Sequence, residues 1–292
     1  MFKTAILAAA ATSLFAISFA PAAQAQSNTN NLRAFGLTDD MRLVSFRTGA
    51  PGLSARVVGP VTGLGADTSL VGIDFRVQDG KLYGVGDAGG VYIIDTDNAT
   101  ASLVNQLNLA GTPLALEGAR FGVDFNPAAD RLRIVSNSGQ NLRHNVNAGG
   151  VTLVDGPLNN GAVPPVAVTG VASAAYTNND NAQPLTGTVL FDITGNNSSL
   201  ALQVPPNGGV ISAVGALGFL GETGTPVALT GRVGFDIYTQ TNRAGASIAN
   251  VGFLTVGTTE VFSVDLSSGL ATSLGSVRKG YNLVDIALPI AQ

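Results

Sequence analysis

The sequence predicts an all-β fold: a five-bladed β-propeller of four-stranded antiparallel blades, its ring closed by pairing the N- and C-terminal strands. Three observations predict it. First, a short phrase returns about every 50 residues, the length of one propeller blade. It reads VGIDF at Val71 to Phe75, FGVDF at Phe121 to Phe125, VGFDI at Val233 to Ile237 and LVDIA at Leu283 to Ala287. Second, a degenerate copy, VASAAY at Val171 to Tyr176, stands where the period requires one, without the Asp that the other copies carry. Third, 37 Gly with no Trp and no Cys, among many Val, Thr, Ser and Asn, favour short strands and tight turns over long helices.

Alternation and turn residues divide each unit into four strands. Val71 to Val77 leads through Gln78-Asp79-Gly80 into Lys81 to Gly86, then Val91 to Asp95 and Thr100 to Leu107. The second unit runs Phe121 to Phe125, Arg131 to Ser136, Asn141 to Val146 and Val151 to Val154. The third covers Val171 to Tyr176, Thr188 to Ile193, Leu200 to Val204 and Val210 to Val214, and the fourth Val233 to Tyr238, Ile248 to Val256, Glu260 to Asp265 and Ala271 to Leu274. Asn282 to Leu288 then supplies an inner strand with nothing after it, while Leu32 to Leu37, Arg42 to Phe46 and Ala55 to Val58 supply three strands with nothing before them. One blade built from both termini leaves no open sheet edge. A four-bladed ring with a stray hairpin, or a β-sandwich, are the all-β alternatives.

The first 25 residues are expected to be a signal peptide, because Lys3 precedes an apolar stretch and Ala23-Gln24-Ala25 has the small-residue spacing of a cleavage site. Residues 26–292 are then expected to form a single β-propeller domain, exported to the periplasm or the extracellular space. No later stretch holds the ~20 apolar residues needed to cross a bilayer. A net charge of −4 without a Lys/Arg run argues against nucleic acid. The absence of Cys leaves stability to packing.

Two sets of residues are candidates for chemistry. Asp74, Asp124, Asp236 and Asp285 each fall on an expected inner strand and so near the ring axis. Converging carboxylates there suit a calcium-type cation, which takes six to eight oxygen ligands, or the acid and base of a glycosidase. The alternative is that each Asp recurs because the blade recurs, accepting backbone N–H groups or pairing with Arg. With no Trp for stacking, and Glu117, Glu222 and Glu260 off the inner strands, sugar chemistry is the weaker reading. The second set is the polar segment holding Asp124, Asn126, Arg131, Arg133 and Arg143, as a ligand site offering guanidinium forks to an anion. Its structural alternative pairs Arg133 with Asp124 on the neighbouring strand. His144 is the only His, which excludes a two-His metal site. A surface or hairpin role is expected for it.

From about Leu32 to Ile286 the chain resembles a family of secreted bacterial proteins defined only as a domain of unknown function, number 4394. The stretches that carry the resemblance are LVGIDFRVQDGKLYGVG, FGVDFNPAADRLRIVSNSGQNLRHN, AAYTNN, QVPPNGG and VGFDI. The resemblance implies export and a repeat fold and transfers no chemistry; the Asp-less third unit matches the family's own AAYTNN variant. The functional expectation is a binding module for a small molecule or extracellular polymer, held by loops at one mouth of the ring. The alternatives are metal-assisted hydrolysis of an ester, lactone, phosphoester or glycoside by the inner-strand carboxylates, and an extracellular scaffold.

Overall fold

The computed structural model describes residues 31–218, 229, 231–278 and 280–290. The expected signal peptide and Glu222 lie outside the described residues. Among these, the strands form five four-stranded antiparallel sheets and one small hairpin. The first blade joins β1 (Arg33–Thr38), β2 (Arg42–Arg47) and β3 (Arg56–Pro60) to β22 (Leu283–Ala287), with a helical turn α1 (Pro51–Ser54) between β2 and β3. The second holds β4 (Leu70–Phe75), β5 (Leu82–Gly86), β6 (Gly90–Ile94) and β7 (Ala101–Gln106), and is followed by the hairpin β8 (Asn108–Leu109) and β9 (Thr112–Pro113). The third is β10 (Phe121–Asn126), β11 (Arg131–Ser136), β12 (Asn141–His144) and β13 (Thr152–Val154). The fourth is β14 (Val171–Tyr176), β15 (Leu190–Thr194), β16 (Ser199–Gln203) and β17 (Ile211–Ala216). The fifth is β18 (Gly234–Thr241), β19 (Ser247–Thr255), β20 (Glu260–Val264) and β21 (Ala271–Ser276). The propeller and its closure are as the sequence predicts: β1 pairs with β22, Phe35 opposite Ala287 and Leu37 opposite Asp285.

The five copies of the phrase are the inner strands, touching one another in the cyclic order β22, β4, β10, β14, β18. Each blade alternates its side chains toward its two neighbours, so the core lies between blades and not within them. On β11, Leu132 and Ile134 join Tyr83, Val85 and Phe125 in the seam between blades two and three, while Val135 packs with Tyr176 and Leu190 toward blade four. Phe35 and Leu37 pack on Ile73, Phe75 and Tyr92 across the seam between blades one and two. The phrase's glycine permits this crowding near the axis. A Cβ at Gly122 would stand 2.4 Å from the Ala174 nitrogen of the next blade, and one at Gly234 would stand 2.3 Å from the Asp285 Cα. Neither contact has room for a side chain.

Removing residues 281–292 takes away β22 and with it one wall of two seams. The expected outcome is loss of a single cooperative thermal transition by far-UV circular dichroism; a truncated chain that still melts sharply near the full-length temperature would show that closure does not hold the ring.

Candidate functional site

The inner strands bring the four recurring carboxylates to the axis, where each is nearly sealed: Asp74 is 5% exposed, Asp124 1%, Asp236 3% and Asp285 6%. Oxygen atoms of Asp74, Asp124 and Asp236 lie within 4.8 Å of one another. Each carboxylate also bridges two blades. Asp74 accepts the Phe125 N–H of blade three at 2.7 Å, and Asp124 accepts the Tyr176 N–H of blade four at 2.9 Å. Asp236 accepts the Leu288 N–H beyond β22 at 2.6 Å, and Asp285 accepts the Ile73 N–H of blade two at 2.7 Å. Three of them also accept the N–H of the following residue: Asp74 from Phe75, Asp236 from Ile237 and Asp285 from Ile286.

Blade four has no such acid, because Ala175 precedes the Tyr176 that Asp124 holds. Its seam with blade five is joined instead by the loop after β14. Asn178 and Asn250 bond reciprocally, the Asn179 N–H donates to Thr239 Oγ1 at 2.9 Å, and the Asn179 side chain donates to the Ile237 carbonyl at 2.9 Å. The same loop reaches blade two, where Asn181 donates to the Val77 carbonyl at 2.9 Å. The segment thus joins two non-adjacent blades near the carboxyl ends of their inner strands.

Enclosure of several acids together raises their proton affinity. Burial is the largest cause for each, and for Asp74, Asp124 and Asp285 the neighbouring carboxylates oppose ionisation further. Asp74 and Asp124 are pushed well above the ordinary carboxyl value, Asp236 to about 7 and Asp285 to about 8. The amides they accept pull the other way without cancelling the effect.

The polar segment of blade three is an ion-pair network facing blade four. Arg133 is 2% exposed and donates to Tyr176 Oη, Asn141 Oδ1, Asp155 Oδ2 and Asn207 Oδ1, at 3.1, 2.7, 2.6 and 2.8 Å. Its acid is therefore Asp155, just beyond β13, and the expected pairing with Asp124 is corrected. Asp124 lies opposite Arg133 in the β10–β11 register, but its carboxylate turns to the Tyr176 amide. Arg143 holds the same Asp155 through two bonds of 2.6 and 2.8 Å. Arg131 donates to the carbonyls of Ala129 and Asp130, and Asn126 Oδ1 accepts the Ala129 N–H. Arg133 has its donors engaged by the protein, while Arg143 is the part-exposed member, with 29% of its side chain open.

His144 is fully buried, not at the surface as expected. Its ring nitrogens lie 3.0 Å from Thr152 Oγ1 and 2.8 Å from Asn105 Oδ1, and burial, aided by the charge of Arg131, lowers it to about 4. Asp192 was not among the candidate residues. It lies at the middle of β15 between Ala174 and Ala201, fully buried, and neither carboxyl oxygen has a hydrogen-bond partner among the described residues. Burial raises it to about 8, with the Arg133 charge opposing. Its signal in sequence is one acid in an otherwise apolar alternating strand, LFDIT.

The architecture defines the class: a propeller closed by its terminal strands, with axial acids that join the blades. Residues 42–287 match the family described as Domain of unknown function (DUF4394), and the chain belongs to that family. No curated protein matches it. Among solved structures it is similar to the glutaminyl cyclase of Myxococcus xanthus at 12% identity and TM-score 0.40, covering 75% of this chain and 70% of that one. It is similar to an auxiliary nutrient binding protein of Bacteroides thetaiotaomicron at 14% identity and TM-score 0.40, covering 75% of this chain and 55% of that one. A protein of unknown function from the same organism gives 12% identity and TM-score 0.44, covering 88% and 64%. At these identities and scores the likeness says nothing of ligand or activity.

The buried acids make stability fall as pH rises. A carboxyl whose pKa is higher folded than unfolded contributes fully below the unfolded value and loses its contribution as pH climbs through the folded one. His144, depressed on folding, contributes in the opposite sense between about 4 and 6.5, so the acids stand alone above that range. Between pH 6.5 and 8.5 the melting temperature is expected to fall. Asp192→Asn keeps the shape without the charge, and is expected to melt above wild type at pH 6.5, by a margin that widens toward pH 8.5. A flat wild-type profile across that window would show that these acids are ionised at neutral pH.

Proposed function

We propose that this chain is an exported binding module, taking a small molecule or extracellular polymer on the loops and strand ends at its rim, with the axis given over to holding the ring together. The observation that carries this reading is the enclosure of the axial acids. All four are nearly sealed, and all four are bonded to amides of a neighbouring blade. Hydrolysis assisted by a metal needs an open coordination position for water or substrate, and glycoside cleavage needs two carboxyls that reach the sugar. Carboxyls this enclosed, each already bonded to a neighbouring blade, are poorly placed for either. Export is supported by the Lys3, apolar stretch and Ala23-Gln24-Ala25 pattern of the sequence. No helix among the described residues is long and apolar enough to cross a membrane.

One observation favours a second reading, in which a calcium-type cation sits among the axial acids: the 4.8 Å convergence of Asp74, Asp124 and Asp236. A cation would neutralise them as protons do. Thermal unfolding in millimolar calcium and in EDTA separates the two readings. Under the binding-module reading the midpoint does not depend on calcium, and ester, lactone, phosphoester and glycoside substrates are not turned over. A calcium-dependent rise that Asp124→Asn abolishes would establish the cation instead, and turnover that also requires the cation would establish the hydrolase.

A further inference from the structure

The first blade carries a concentration of positive charge at the edge of the ring. A cleft of about 410 Å³ opens there, lined by Arg33, Arg47 and Arg56 with Ser45, Thr96 and Asp97 among the remaining walls. Its volume lies within the range of small-molecule sites. Arg33 and Arg47 are direct partners in the β1–β2 register, and Arg56 faces Ser45 on β3, so the three arginines share the face turned toward blade two. Thr96 and Asp97 come from the β6–β7 turn of that blade. This end of the ring is also the one to which the inner strands direct their carboxyl ends, because β1 runs antiparallel to β22 and places Arg33 beyond Phe35, which pairs with Ala287.

Placing like charges opposite each other on adjacent strands is unfavourable by itself. Here three guanidiniums share a cleft with one carboxylate, in a chain whose net charge is −4. Arg47 and Arg56 form no ion pair among the described residues. Arg33 and Arg47 are nonetheless held in place. The Arg33 guanidinium stacks on Phe35 with 4.5 Å to the ring centroid, and Arg47 donates to the Asn31 carbonyl at 2.9 Å. Ser54 accepts the Arg47 N–H at 2.7 Å and donates to the Ala50 carbonyl at 2.6 Å, tying the connection between β2 and β3 to the strand end. A charge array fixed before binding loses little freedom on binding.

We infer that this cleft is an oxyanion site for a phosphate or sulfate monoester of a sugar-sized polyol. Guanidinium forks recognise oxyanions by paired N–H donors. The forks of Arg47 and Arg56, with the positive charge of Arg33 beside them, suit a tetrahedral group with three terminal oxygens, and the cleft leaves room for the body of the ester beside its charged end. The inference rests on reading the chain as a binding module and names its ligand class.

Isothermal titration with glucose 6-phosphate, inorganic phosphate, inorganic sulfate and glucose, in EDTA at low salt, tests it. Saturable binding of glucose 6-phosphate is expected, with inorganic phosphate and sulfate weaker and glucose silent. Arg47→Gln and Arg56→Gln should each weaken binding roughly tenfold, as expected for one charge-assisted hydrogen-bonding group, while Arg243→Gln on blade five leaves it unchanged. Arg56→Lys, which keeps charge without the fork, should fall between. If inorganic phosphate binds as tightly as the sugar phosphate, the site takes free oxyanion and the polyol part of the inference fails. No saturable heat from any anion, or equal affinity in a folded Arg47→Gln/Arg56→Gln variant, would overturn the site altogether. Phosphorus NMR of the recovered ligand keeps the two readings apart, since hydrolysis would remove the binding-module reading while leaving the measured affinity of the cleft intact.

Discussion

The structure depends on one joint, a buried carboxylate of one inner strand that accepts the backbone N–H of the next. Inner strands in a propeller run side by side around an axis without forming a common sheet, so their amides there would lack partners once water is excluded. An unpaired buried amide is costly, and an unpaired buried carboxylate more so. The Asp of the phrase resolves both, and in β4, β10 and β18 the glycine two residues before it lets the strands come close enough, with the Ala174 nitrogen only 2.4 Å from where a Cβ on Gly122 would stand. Where blade four lacks the acid, Asn178 and Asn179 supply the donors and acceptors from the loop that follows. AAYTNN is thus a different solution to the same joint.

The joint has an electrostatic consequence. Acids that repeat with the blade must meet at the axis, so convergence of Asp74, Asp124 and Asp236 follows from the repeat itself. In a sealed space like charges cannot all persist, and proton uptake is the least demanding answer when hydrogen-bond donors are already in place. The elevation of Asp74, Asp124 and Asp285 belongs to this crowding, while burial alone raises Asp236. A carboxyl cluster with strongly shifted proton affinity resembles an active site in every respect but access.

Much of the fold was legible because the repeat is local. The phrase, its spacing and the turn residues placed all five blades, and the unfinished ends of the pattern revealed the closure of β1 on β22. The acids at Asp74, Asp124, Asp236 and Asp285 were legible as axial for the same reason. What was hidden depended on side chains that meet through the fold. Arg133 lies opposite Asp124 in register, but selects Asp155 because β12 and β13 return that acid to its side of the blade. Asp192 and Gln203 face a neighbouring blade, and nothing in LFDIT or SLALQ tells which seam they enter. His144 reads as a hairpin residue, but its partners Asn105 and Thr152 come from β7 and β13, and only their convergence encloses it. The three arginines of the cleft come from different strands of a blade assembled from both termini.

The seams differ in a way that bears on where recognition can occur. Four are dominated by aliphatic and aromatic contacts, while the seam between blades three and four encloses Arg133, Asn141, Asp192 and Gln203. Charge in that seam is turned inward: Arg133 and Arg143 converge on Asp155, and removal of Asp155 would leave the buried Arg133 guanidinium without its counterpart. Charge in the first blade is turned outward, on strand ends that need not meet another blade's backbone. The axis is filled by the ring's own fastening, whereas Arg47 and Arg56 at the first blade form no ion pair among the described residues.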